Sequence, residues 1–207
     1  MRTTKSISAA IFASMLLLSF SIPASAQDWY GAVTYQVAFP TGDTKDFTNE
    51  VSFRGMGLDF RKAIQPNTTV GLNLGWNVFH ERTTELLNVG GMGHISGTQD
   101  RYINAFPIML SAHRYLGQDG KARPYAGLSL GGFVVSQKFD LGLSSLKNDE
   151  WEWGFAPELG VVFPLPEARY VILNGKFNGA FTGESLGNSS FHLQYFSLNV
   201  GFAWAQR

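Results

Sequence analysis

The sequence predicts an all-β fold, an eight-stranded antiparallel up-and-down transmembrane β-barrel, and three observations carry that expectation. Apolar residues recur at every second position in stretch after stretch. The chain combines 23 glycines with 17 Phe, 7 Tyr and 5 Trp, and has no cysteine. The links between the alternating stretches are by turns long and short. Successive side chains of a strand point to opposite faces, so a period of two marks one greasy face. Barrel walls use aromatics outside and small residues inside, a pairing that soluble domains rarely need. The last stretch shows it best: Phe196, Leu198, Val200, Phe202 and Trp204 share one face, and Ser197, Asn199, Gly201 and Ala203 the other.

Residues 1–26 are expected to be a cleaved secretory signal peptide, leaving 27–207 as the barrel domain. Arg2 and Lys5 give a positive start, Ala9 to Ile22 an apolar run, and Ala24-Ser25-Ala26 a small-residue cleavage site. An exported chain without cysteine has no disulfide framework and needs another source of stability, which a closed hydrogen-bonded sheet supplies. The 16 basic residues equal the 16 acidic ones, so there is no basic stripe for nucleic acid. After residue 26 no apolar run approaches the ~20 residues of a spanning helix.

The first strand is expected from about Trp29 to Phe39, with odd residues on the apolar face. Pro40 to Asn49 reads as a polar loop of turn formers. The second strand, about Glu50 to Ile64, changes parity: Val51 and Phe53 are odd, whereas Leu58 and Phe60 are even. Gly55 and Gly57 between them suggest a bulge that shifts the register by one. The third, Thr68 to His80, alternates cleanly, and Glu81 to Asp100 reads as a long loop. The fourth spans about Arg101 to Leu116, with Pro107 predicting a bulge or an edge. The fifth covers Pro124 to about Phe139, the sixth about Glu150 to Leu165, the seventh Arg169 to Thr182, and the eighth runs to Trp204. Asp140 to Glu150 and Gly183 to Ser190 read as loops.

With the first strand starting in the periplasm, every short link falls on that side and every longer link outside. In hydrocarbon each backbone polar group must be paired, so a period-two chain has to close on itself. Aromatic girdles are expected at both headgroup levels: Trp29, Phe163, Tyr170 and Trp204 inside, Phe79, Tyr102, Trp151 and Phe191 outside.

On the runs Arg-Pro-Tyr-Ala-Gly-Leu-Ser-Leu-Gly-Gly (123–132) and Pro-Glu-Leu-Gly-Val (157–161) and the closing strand, the chain resembles the small outer-membrane β-barrel family. That family includes OmpA-type transmembrane domains and OmpX- and OmpW-like proteins. The resemblance implies location in the cell outer membrane after export to the periplasm. It implies contact with outer-membrane lipids including lipopolysaccharide, and recognition of Tyr195 to Trp204 by the barrel-assembly machinery. Family members usually end on an aromatic residue, whereas here Ala205-Gln206-Arg207 follow Trp204. No peptidoglycan-binding domain follows the barrel, so a cell-wall tether is not expected.

Charged residues expected to face the lumen are Arg54, Asp59 and Arg61 around the bulge, and Glu158 and Lys176 on neighbouring strands. Unpaired charge is costly at low dielectric, so these must pair or meet trapped water. They constitute either a structural polar plug or a gate whose ion pairs rearrange. His80, His94, His113 and His192 have no metal-like spacing, and no cofactor or metal is expected. Ser190 and His192 at the outer rim, with Glu184 nearby, resemble the Ser, His and Glu of lipid-A deacylases, which are also eight-stranded barrels. Their order is Ser-x-His rather than His-x-Ser, and Glu184 shares their loop, so polar headgroup contacts are the simpler reading.

The expected role is non-enzymatic: a monomeric barrel that presents extracellular loops on a rigid wall. An eight-stranded lumen is about filled by its own side chains. A narrow channel or carrier for small hydrophobic solutes is one alternative, and a lipid-A-modifying esterase is the other.

Overall fold

A computed structural model describes residues 29–88, 94–118, 120–141, 144–181 and 192–206. Eight strands run β1 (Trp29–Pro40), β2 (Ser52–Gln65), β3 (Thr68–Asn88), β4 (His94–Tyr115), β5 (Arg123–Leu141), β6 (Ser144–Leu165), β7 (Arg169–Ala180) and β8 (Gln194–Gln206). Each pairs antiparallel with its chain neighbour, and β8 closes on β1 from Trp29↔Gln206 to Pro40↔Tyr195. Closure removes both sheet edges, so hydrocarbon meets no open backbone.

The alternation places aliphatic and aromatic residues on the outside. On β8, Phe196, Leu198, Val200, Phe202 and Trp204 are exposed, while Tyr195, Ser197, Asn199 and Ala203 are buried. Trp204 lies over Gly31 and Trp151 over Gly132, so two outward glycines leave the wall flat enough to seat an indole from the next strand.

The bulge in β2 lies just before the two glycines. Pairing passes from Gln36↔Gly55 to Ala38↔Ser52, so three steps on β2 match two on β1. Pro107 causes no register shift. The β3–β4 pairs skip from Leu74↔Ile108 to Asn77↔Ala105 with the register kept, and Gly75 leaves the inward room that the Pro107 ring needs. At Pro157, which lacks an N–H, the β6–β7 pairs skip likewise from Phe155↔Gly179 to Glu158↔Lys176.

Three segments expected as loops are ordered differently. Much of 81–100 continues β3 and β4, which remain paired out to Asn88↔His94. Most of 140–150 extends β5 and β6, paired out to Leu141↔Ser144. Above the membrane both faces of a strand meet water, so nothing selects the apolar alternation that announces strands below. Within 40–49 the chain forms a short helix, α1 (Gly42–Phe47). It is fastened to the start of β8: Asp43 Oδ2 accepts from the His192 N–H at 3.0 Å, and Thr44 Oγ1 from the Gln194 N–H at 2.8 Å. The outer wall is therefore uneven, tall along β3–β6 and low where α1 lies against β8.

Candidate functional site

The lumen holds three layers. At the end with the short turns, Ala32, Tyr125, Ile172 and Ala203 form an apolar cluster with Tyr115, Val162 and Tyr170 packed on it. At the opposite end a larger plug contains Phe79, Ile103, Met109, Phe133, Leu193 and Tyr195, with Phe47 of α1 packed against it. The Phe79 and Tyr195 rings meet edge to face at 5.3 Å.

Between them lies a polar network. Arg61 Nη2 sits 3.2 Å from Asp59 Oδ1 and 3.3 Å from Glu158 Oε1, and its Nη1 donates to Tyr115 Oη at 3.1 Å. Glu158 Oε2 takes Lys176 Nζ at 3.2 Å, and His113 Nε2 lies 3.4 Å from Oε1. Lys176 Nζ also donates to Asn73 Oδ1 at 3.0 Å, while Asn73 Nδ2 donates to Asp59 Oδ1 at 2.9 Å. Asn174 donates to Tyr125 Oη and is linked to Asn199. All four charged members are buried.

In an eight-stranded ring β2 stands opposite β6, and β3 opposite β7. The Arg61–Glu158 and Lys176–Asn73 contacts therefore cross the full width of the lumen. Two cations meet two anions, so the layer is neutral without a charge on His113. An ion pair in such a setting repays its desolvation only when hydrogen bonds complete it, and tyrosine and asparagine provide them. A second crossing is purely polar: Asn77 Nδ2 donates to Gln36 Oε1 at 2.9 Å and to Tyr195 Oη at 3.2 Å. Below the network, the mouth lined by Tyr30, Tyr115 and Tyr170 has only about 60 Å³ that water can occupy.

The structure thus gathers Asp59, Arg61, Glu158 and Lys176 in one layer. It does not bring Arg54 to them. The bulge falls at Phe53 and Arg54, and Arg54 is exposed on the outer wall beside Val78 and Met56. Two girdle assignments are also corrected. Phe79 is fully buried in the upper plug, since Val78 on the same strand takes the outward place. Tyr170 turns inward to pack near Tyr30, their centroids 6.3 Å apart. In both cases strand parity outweighs nearness to a strand end.

Trp29, Trp151, Phe163 and Trp204 point outward, and Tyr102 stacks on His80 at 4.2 Å. Lys62 Nζ lies 5.3 Å from the Trp29 ring centroid. Trp76 and Phe106, which the parity of β3 and β4 places on the apolar face but which were not counted in the girdles, stack outward at 5.8 Å. Sequence reasoning missed as network members Asn73, which pairs with Asp59 across β2 and β3, and Tyr115 and Tyr125, which only the curved wall brings to Arg61.

Ser190, Glu184 and Phe191 lie outside the described residues. His192 is held through its backbone N–H by Asp43. Among the described residues no group of three or more His, Asp or Glu side chains is placed to hold a metal ion.

A closed antiparallel sheet with a greasy exterior and a packed polar interior defines the class: the chain has the fold of the small outer-membrane β-barrels. Neisserial surface protein A superposes with a TM-score of 0.54 at 13% identity, over 87% of this chain and 97% of that one. Ail, the attachment invasion locus protein of Yersinia pestis, gives 0.49 at 11% identity over 88% of this chain and 100% of its own. E. coli outer membrane protein W gives 0.46 at 17% identity over 88% and 100%. No family profile and no curated protein sequence matches the chain.

Proposed function

We propose that the protein is an exported outer-membrane barrel that does not conduct, and that its role lies in the surface it presents outside the cell. The observation that supports this reading is the pair of cross-lumen contacts, Arg61–Glu158 and Lys176–Asn73, beneath an apolar plug capped by α1. A rigid, filled barrel is a poor conduit and a good pedestal. The tall β3–β6 wall and α1 are what it offers to a partner, and binding sites tend to lie on loops and hairpins held by rigid scaffolds. On this reading the protein is a monomer, is processed after residue 26, and is inserted by assembly machinery acting on Tyr195 to Trp204.

The test uses the mature protein refolded in planar bilayers. The expected result is no conductance above that of lipid alone, and cells displaying a version with the β3–β4 tip replaced by a short turn should lose surface attachment while the barrel still folds. Steady conductance of the unmodified protein would refute the reading.

A second reading, a gated narrow conduit, is motivated by Glu158, which faces Arg61, Lys176 and His113 together. Shared contacts give its partners alternatives when one is lost. Glu158→Gln would then raise conductance, and unchanged conductance with unchanged stability would sink the gate. The esterase alternative rests on Ser190, His192 and Glu184, and unaltered lipid-A acylation on expression would remove it.

A further inference from the structure

Two buried polar atoms at the foot of the network, Arg61 Nε and Thr69 Oγ1, have no hydrogen-bond partner among the described residues. Arg61 is 3% exposed and Thr69 4%. Strand parity turns both inward, Arg61 on β2 and Thr69 on β3 beside Ala63. Both line the mouth at the short-turn end, the cavity of about 60 Å³ below the network. A buried donor without an acceptor is costly, so two of them on one cavity point to something that enters from outside the chain.

The chemistry of the lining narrows what that is. Arg61 directs Nη2 at Asp59 and Glu158 and Nη1 at Tyr115, which leaves its Nε–H unmatched. Tyr115 Oη accepts from Arg61, so its own proton is available to an acceptor in the mouth. The network is neutral in itself, and Arg123 adds positive charge at the rim. Its Nη2 donates to Asn67 Oδ1 at 2.9 Å, and its guanidinium lies 5.1 Å from the Tyr115 ring centroid. Asp59, the acidic residue of the lining, is already joined to Arg61 and to Asn73. Around these donors the walls are apolar: Ala32, Ala63, Val162, Ile172 and the rings of Tyr30 and Tyr170.

We propose that this mouth binds a small carboxylate carrying a short apolar body. The carboxylate accepts from Arg61 Nε, Thr69 Oγ1 and Tyr115 Oη, and the body lies between Ile172 and the Tyr30 and Tyr170 rings. Both guanidinium groups repel a cation, and a hydrocarbon leaves the donors unmatched. Water meets the donors but gains nothing from the walls. The volume has room for a few waters, which limits the ligand to a short body or to the tip of a longer one. Two sources supply such a group, a free short-chain acid and the end of a peptide whose last residue is small. On the outer-membrane reading the mouth faces the periplasm. The site goes beyond the surface role proposed above and requires only a closed barrel.

The experiment follows the Arg61 Nε–H resonance by NMR, in mature protein held in lipid nanodiscs, as sodium propionate is added in chloride-free buffer. The expected result is a saturable shift with a midpoint of about 1 mM, and none from propionamide, which has the same shape without the charge. Thr69→Val removes one hydrogen bond to the anion and should raise the midpoint about tenfold. Ala63→Leu fills the cavity and should abolish the shift. Lys147→Ala, in an exposed pair with Asp149 at the far end of the barrel, should leave the midpoint unchanged. Acetyl-alanyl-alanine and its terminal amide separate the sources: binding of the acid alone assigns the site to chain ends, and rejection of both assigns it to free short acids. A heat-dependent gel shift reports folding of every variant. No shift with propionate in a folded barrel would overturn the site and leave water alone in the mouth. An equal response to either amide would also overturn it, as would an equal response to chloride, which means a plain anion site. Undiminished binding by Ala63→Leu would place the anion elsewhere and overturn it too. Loss of the gel shift in the unmodified protein would instead overturn the closed barrel, and the site with it.

Discussion

Glu158 illustrates how a charge survives inside the barrel. It is buried, yet it meets Arg61 and Lys176 on opposite walls, with His113 alongside. Neutralising it leaves those two cations with Asp59 as the sole remaining anion of the layer. Removing one member of a buried pair generally costs about 3–5 kcal/mol, because the abandoned charge stays desolvated. Glu158→Gln should therefore lower the unfolding free energy by about 3 kcal/mol in urea titrations of vesicle-inserted protein. Replacing Glu158 and Lys176 together by leucine should cost less than the sum of the single changes, since neither then strands the other. The sequence discloses this pair because the two residues face inward on adjacent strands. It does not disclose the Arg61–Glu158 crossing, whose partners are 97 residues apart and meet only when β8 closes on β1. Arg54 shows the finer limit: a bulge is legible from a change of parity, but its position within two or three residues decides which side chain is turned out.

At the scale of elements, the turn between β6 and β7 uses two non-glycine residues in the left-handed region, Glu167 at φ 62° and Ala168 at φ 55°. Ala168 also accepts from the Ala205 N–H through its carbonyl at 2.9 Å, tying the turn to β8. A Cβ there costs roughly 1–2 kcal/mol, so Ala168→Gly should raise the urea midpoint, by an amount reduced by glycine's greater unfolded freedom. An unchanged or lower midpoint would show that the turn is not strained. In the β3–β4 extension, hydrogen bonding from Arg82 holds the Asp100 carboxyl below its ordinary range. A carboxylate with a depressed folded value stabilises above its unfolded value, near pH 4, and loses that contribution as pH falls through the folded value. Protease resistance of the extension should thus be flat from pH 8 to about 5 and decline below about 4, and Asp100→Asn should abolish the decline. Strands facing lipid were legible because lipid enforces alternation. The extensions and α1 were not, the former because water touches both faces and the latter because six residues are too few to display a helical stripe.

For the whole molecule, the uneven wall sets a gradient of stability. Within the membrane each strand is paired on both sides and no water competes for its hydrogen bonds. Above it, β2 pairs with β3 only as far as Gly55↔Asn77, while β4 keeps β5 as far as Gln99↔Leu141. From Thr98 upward through Ser96, β4 has β3 as its only partner among the described residues, and the hairpin stands in water. An isolated two-stranded ribbon is marginal, and the amides there open at little cost. Hydrogen exchange on protein in lipid nanodiscs should therefore show three tiers. Amides of 70–74 and 108–112 should be slowest, since opening them breaks the closed sheet. Those of 99–104 and 137–140, still paired across several strands, should be intermediate. Those of 84–88 and 94–98 should exchange within the fastest resolved times. Severing the α1 anchor with Asp43→Ala should speed exchange at His192 and Gln194 without touching the slow tier, because Asp43 binds at the start of β8, outside that tier. Uniform protection from the membrane to the hairpin tip would contradict this order. It would mean that something beyond strand pairing holds the tall wall upright.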